Sequence, residues 1–134
     1  MGKSITKELQ GSESLVSSRD AFALDATDFR TYLAKVKEMD SDAVYAIGTA
    51  ANLSNILKQA NELGIKVQFL GFRASEDPLL IKNAGVLAEE FIYTYAFDSN
   101  KDTLETKKFV DAFKAKYNSL PDGYAAEGYE GMMF

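Results

Sequence analysis

Asp42 to Gly71, DAVYAIGTAANLSNILKQANELGIKVQFLG, reads as strand, tight loop, helix, glycine stop and second strand in one unbroken run. Ala43 to Ile47 carries almost no polar residue, as expected of a strand in a parallel sheet covered on both faces. Leu53, Ile56, Leu57, Ala60 and Leu63 then recur at helical spacing. Thr49 is placed to cap that helix, and Gly64 stands where a C′ residue belongs. Val67-Gln68-Phe69-Leu70 restarts the sheet. The stretch is therefore a βαβ unit, and sheets built from such units bind ligands beyond the carboxyl ends of their strands. Here those ends are Gly48-Thr49-Ala50 and Gly71-Phe72-Arg73.

Working outward, Phe29, Tyr32, Leu33, Val36 and Met39 form a helical stripe just upstream, with Thr27 or Asp28 as the expected N-cap. Before it, Glu13 to Phe22 is a strand candidate around Leu15-Val16, and Lys3 to Gln10 a short helix closed by Gly11. Downstream, Ser75 is expected to cap a short helix over Asp77 to Ile81, with Pro78 in its first turn and its end near Asn83 or Gly85. Ala88 to Phe97 is β-branched and aromatic and reads as the last strand. Its period of two puts Phe91, Tyr93, Tyr95 and Phe97 on one face, a pattern of packing rather than of base stacking. Thr103 to Asn118 is an amphipathic helix through Phe109, Val110, Phe113 and Tyr117, and Tyr124 to Phe134 is another after the break at Pro121-Asp122-Gly123.

This order predicts an α/β fold: a doubly wound, mainly parallel sheet of about four strands with helices on both faces, a Rossmann-like lobe. Such a lobe normally begins with a strand, and here that first strand is missing, which predicts a piece of a longer protein or a position filled by another chain or a swapped segment. The apolar faces left bare would drive self-association.

Composition narrows the function. At 134 residues, with 46% hydrophobic and 26% charged residues and only two prolines, the chain has room for one globular domain. A net charge of -5, with Lys and Arg scattered, offers no basic face to a phosphate backbone and excludes nucleic acid as a partner. The absence of Cys and His removes thiolate nucleophiles, imidazole bases and the usual zinc or copper ligand sets, so no metal site and no cofactor is expected. No apolar run approaches the roughly 20 residues that span a bilayer. The carboxylate pairs Asp25/Asp28, Asp40/Asp42 and Glu76/Asp77 suit caps and turns, and no nucleophile elbow, GxGxxG or GxxxxGK[ST] accompanies them, so no catalytic residue is assigned and no enzyme is expected. A receiver-like signalling domain also alternates strands and helices, but it needs an aspartate where Ile47-Gly48-Thr49 stands.

Several runs together resemble a known family. Asp28-Phe29, Leu33, Val36-Lys37 and Asp42-Ala43-Val44-Tyr45 are followed by Gln59-Ala60-Asn61-Glu62-Leu63-Gly64 and Phe69-Leu70-Gly71. Asn83-Ala84-Gly85, Glu89-Glu90-Phe91, Phe109 to Tyr117, Pro121 and Ala125 to Tyr129 continue in the same order. This text resembles the branched-chain amino acid (Leu/Ile/Val) type of substrate-binding protein that serves ABC importers. The resemblance implies the type I periplasmic-binding-protein fold, two α/β lobes closing over a small solute, with an ABC permease as partner and a periplasmic or extracellular location. It also leaves room for a ligand-sensing receptor of the same fold. On it, residues 1–97 correspond to most of the second lobe, and residues 98–134 to the crossover and C-terminal helices that pack with the first.

The resemblance also implies where ligand would be held. Three places in the second lobe contribute: the tyrosine of a Tyr-Gly turn, which this chain lacks because Met1 stands before Gly2, the loop at Gly48, Thr49 and Ala50, and the loop at Phe72 and Arg73. Amino-acid binders typically carry an acidic residue where this chain has Arg73, so the reversed charge favours a carboxylate-bearing or otherwise anionic small solute over an α-amino acid. Elementary chemistry points the same way: the N-H groups at the start of the helix capped by Thr49 attract anions, and Phe72 offers an apolar wall.

Overall fold

The computed structural model describes residue 16 and residues 18–95 and 97–132. The helix expected over Lys3 to Gln10, the Met1-Gly2 position and the Leu15 end of the first strand candidate lie outside the described residues. Between Ser18 and Phe22 the chain forms no strand.

The described elements are α1 (Arg30–Glu38), β1 (Ala43–Tyr45), α2 (Ala50–Glu62), β2 (Gln68–Gly71), a 3-10 turn (Arg73–Glu76), α3 (Pro78–Ala84), a second 3-10 turn (Gly85–Ala88), β3 (Ile92–Tyr93), α4 (Leu104–Tyr117) and α5 (Gly123–Gly131). Strands β1, β2 and β3 form one sheet in that order. β1 and β2 run parallel, with Ala43, Val44 and Tyr45 opposite Gln68, Phe69 and Leu70. The α/β class and the parallel βαβ unit stand as expected; the sheet has three strands among the described residues rather than about four.

The chain divides into two compact units, one running to Ile92 and one from Tyr93 onward. In the first, α2 is the spine. Leu53, Ile56, Leu57 and Ala60 bury one stripe of it against Phe29 and Leu33 of the α1 region, Ala46 just after β1, Phe69 of β2, Leu80 and Ala84 of α3, and Phe91. Each fully buried side chain of this size contributes about 1.5–3 kcal/mol, so this stripe is the dominant source of order. β1 is less covered than its composition suggests. Val44 packs against the core, whereas Ala43 and Tyr45 are exposed, because neighbouring residues of a strand face opposite sides.

Three local expectations are corrected. The N-cap of α1 is Phe29, not Thr27 or Asp28. Asp28 Oδ1 still accepts the Arg30 N-H, but the Phe29 N-H and the Thr27 carbonyl are both bonded to the Gln59 side chain, which takes over the helix start. Asp77, not Ser75, caps α3, accepting the Leu79 N-H at 2.9 Å, while Pro78 takes the first turn as expected. The last strand shrinks to Ile92–Tyr93, because the 3-10 turn after Gly85 and a turn at Glu89-Glu90 absorb the residues before it. Its aromatic residues do not act as one face: Phe91 enters the core, and Tyr93 and Tyr95 are exposed.

The second unit is built on aromatic contacts. Phe109 lies edge-on to Phe97 at 5.6 Å between centroids and tilted against Tyr129 at 4.7 Å. Thr103 caps α4, Asn118 ends it in the left-handed region, and Asp122 caps α5.

Candidate solute-binding loops

The first loop follows from the capping of α2. Thr49 is its N-cap, and a reciprocal capping box joins it to Asn52: the Thr49 side chain accepts the Asn52 N-H, and Asn52 Oδ1 accepts the Thr49 N-H at 3.0 Å. Thr49 is exposed, Gly48 half-buried and Ala50 buried. A β-carbon on Gly48 would sit 3.0 Å from Asn52 Cβ and 3.3 Å from the Phe22 ring, so the loop passes tightly between a helix residue and an aromatic side chain.

The second loop follows from Gly71. A β-carbon there would fall 2.6 Å from two carbons of the Phe91 ring and 2.7 Å from Ser75 Oγ, so only glycine admits this close approach. Phe72 is extended, with φ -138° and ψ -171°, and Arg73 opens the 3-10 turn in which the Ser75 N-H bonds the Phe72 carbonyl at 2.8 Å. Phe72 and Arg73 are both half-buried.

Because β1 and β2 are parallel neighbours and the Ala46 N-H still donates to the Leu70 carbonyl, at 2.8 Å, both loops leave from the same end of the sheet. The structure thus places Gly48, Thr49 and Ala50 on one strand end, and Phe72 and Arg73 on the adjacent one. A cleft of about 590 Å³ lies elsewhere, along Arg30, Thr31, Ala34, Lys37, Glu38 and Leu63. A second, of about 520 Å³, lies between α2 and the stretch from Val86 to Phe91. Among the described residues no group of three or more acidic, Cys or His side chains is placed to hold a metal, and no helix is long and apolar enough to cross a membrane.

Three residues, Asn52, Phe22 and Ser75, lie at these loops although the sequence reading assigns them no part there. Asn52, 2% exposed, also donates to the Leu24 and Ala26 carbonyls and so ties the preceding segment to the loop. The spacing Thr49-x-x-Asn52 was the signal for it, a variant of the capping-box pattern. Phe22 reaches Gly48 from a segment without regular structure, which no periodicity marks. Ser75 is buried in the turn beside Arg73, and its Oγ has no hydrogen-bond partner among the described residues. A buried hydroxyl left so costs roughly 1–3 kcal/mol.

Comparison with known proteins agrees with this architecture. The family model described as periplasmic binding protein matches residues 2–134. A Leu/Ile/Val-binding protein of Citrobacter freundii is 32% identical over 117 residues, which is 87% of this chain and 31% of that protein. The structure of a leucine-binding protein from Thermotoga maritima superposes with a TM-score of 0.76 at 28% identity, covering 87% of this chain and 33% of that one. The isoleucine-bound branched-chain amino acid transporter substrate-binding protein of Streptococcus pneumoniae superposes equally well, TM-score 0.76 at 27% identity, over 96% of this chain and 38% of its own. The chain therefore spans about a third of the length of the relatives it matches. The resemblance read from the sequence is borne out, and the chain belongs to the periplasmic binding protein family.

Proposed function

We propose that this chain forms one side of a two-lobed clamp, as part of the solute-binding component of an ABC-type importer that holds a small solute outside the cytoplasm and delivers it to a membrane permease. It binds without turnover. The observation that carries the reading is the parallel pairing of β1 with β2, which brings the Gly48–Ala50 loop and the Phe72–Arg73 turn to one end of the sheet, where α/β folds receive ligands. Residues 1–97 supply the second lobe in this reading, and residues 98–134 the crossover toward the first.

Arg73 sets the kind of solute. A guanidinium at a strand end pairs with a carboxylate through two parallel hydrogen bonds, and the amino end of α2 beside it favours the same charge. Phe72 supplies an apolar wall, as small-solute clefts combine apolar lining with a few polar anchors. The solute is therefore carboxylate-bearing. The test is calorimetric titration of the full-length protein with L-isoleucine and with benzoate, in wild type and Arg73→Ala. At least tenfold weaker binding of the preferred solute is expected. A change within about threefold, or 0.65 kcal/mol, overturns the assignment.

A further inference from the structure

We infer that Ser75 is a specificity-determining residue of the proposed solute site, its hydroxyl kept at the carboxyl end of β2 as a hydrogen-bond partner for a polar group of the solute. This rests on the strand-end reading and deepens it. Ser75 is 4% exposed, and its Oγ has no hydrogen-bond partner among the described residues, whereas nearly all buried hydroxyls are satisfied. The usual local use for a serine just before a helix is closed to it, because Asp77 caps α3. Nor is the residue loosely placed. Its N-H bonds the Phe72 carbonyl, which fixes it in the same turn as Arg73. Its Oγ lies against the backbone of Gly71, where a β-carbon would be only 2.7 Å away. The glycine thus makes room at the strand end for the hydroxyl and for the Phe91 ring together.

A hydroxyl both donates and accepts, so it complements a solute that presents a carboxylate oxygen beside Arg73 or a donor next to it. A group unsatisfied in the free protein and satisfied in the complex favours binding and opposes stability. The two effects of its removal then have opposite signs, which a purely structural hydroxyl does not produce.

The experiment uses the full-length protein and whichever of L-isoleucine and benzoate the wild type binds more tightly. Ser75→Ala is expected to leave the ligand-free melting temperature unchanged or raised, and to weaken binding at least fivefold. Ser75→Cys, which replaces the oxygen by a larger and more weakly hydrogen-bonding sulfur, is expected to fall between wild type and alanine in affinity. Affinity of Ser75→Ala within twofold of wild type overturns the inference. So does a lower ligand-free melting temperature, which means the hydroxyl is satisfied within the fold. Arg73→Ala is measured in parallel. If it weakens binding and Ser75→Ala does not, this inference alone fails. If neither variant does, the strand-end reading fails with it.

Discussion

Asn52 and Thr49 bond each other in both directions at the start of α2: the Asn52 N-H donates to Thr49 Oγ1 at 3.2 Å, and the Thr49 N-H and hydroxyl donate to Asn52 Oδ1 at 3.0 and 2.8 Å. The same Asn52 amide donates to the Leu24 and Ala26 carbonyls. One buried side chain therefore closes the helix start, shapes the loop after β1 and anchors an irregular segment.

Asn52→Leu keeps the volume but strands those carbonyls and the Thr49 N-H. The expected loss is about 2–4 kcal/mol, as for other buried polar networks broken on one side. Urea denaturation at constant m-value measures it. Asn52→Asp should cost at least as much near neutral pH, because a carboxylate would face two carbonyl oxygens. A loss below about 0.5 kcal/mol for Asn52→Leu would show that the network does not hold the loop.

Gly71→Ala drives a methyl into the Phe91 ring and the Ser75 hydroxyl, both closer than 3 Å. Overpacking of this kind costs about 1–3 kcal/mol. Gly71→Ala combined with Phe91→Leu should recover part of the loss that the two single changes predict by addition, a coupling that a double-mutant cycle in denaturant reads directly.

Gly64 gives the contrasting case. Its φ is +65°, and a β-carbon there would meet nothing within 4 Å. Gly64→Ala is therefore a purely conformational change, expected to destabilise by about 1 kcal/mol, with Gly64→Asn milder because Asn tolerates the left-handed region. Equal losses for the two variants would contradict this account.

The Asp20–Lys35 ion pair sets a pH signature. The hydrogen bond from Lys35 holds the Asp20 carboxyl below its ordinary range, and the bond to Asp20 raises the Lys35 ammonium above its own. For Asp20, with a folded pKa lower than the unfolded one, the stabilisation is present above the unfolded value and lost as pH falls through the folded one. For Lys35, with its folded pKa raised, it is present below the unfolded value and lost as pH rises through the folded one. Both side chains are partly solvated, so salt screens the pair. In an NMR titration, Lys35→Met or high salt should move the Asp20 midpoint upward. An unmoved midpoint would mean that the pair does not form in solution.

The sequence was most legible where short-range chemistry decides. Thr49 and Gly64 bracket α2 because a cap and a left-handed stop act within one turn, and the apolar run after Lys66 needs only a parallel neighbour to become β2. It was least legible where a distant side chain intervenes. Gln59, on a helix thirty residues away in sequence, takes the Phe29 N-H and displaces the cap that Thr27 and Asp28 suggest. Likewise, β propensity over Ala88 to Phe97 cannot reveal that only Ile92 and Tyr93 join the sheet. The loops after β1 and β2 were legible as positions, since strand order and direction follow from the βαβ pattern. The crowding of Ser75 and Phe91 around Gly71 was not, because it depends on three residues meeting in space.

Gln59 and Asn52 both project from α2, seven residues apart, roughly 10 Å along the helix axis. Between them they take hydrogen bonds to Leu24, Ala26, Thr27 and Phe29. The backbone from Leu24 to Phe29 has no helix or strand of its own, yet it is moored to the most buried helix at two points. Its amides should then exchange with solvent unevenly: Phe29, bonded to Gln59 and buried, as slowly as the middle of α2, and Asp25 fast. An irregular stretch of this kind opens when the helix opens and not before, which makes it part of the same cooperative unit.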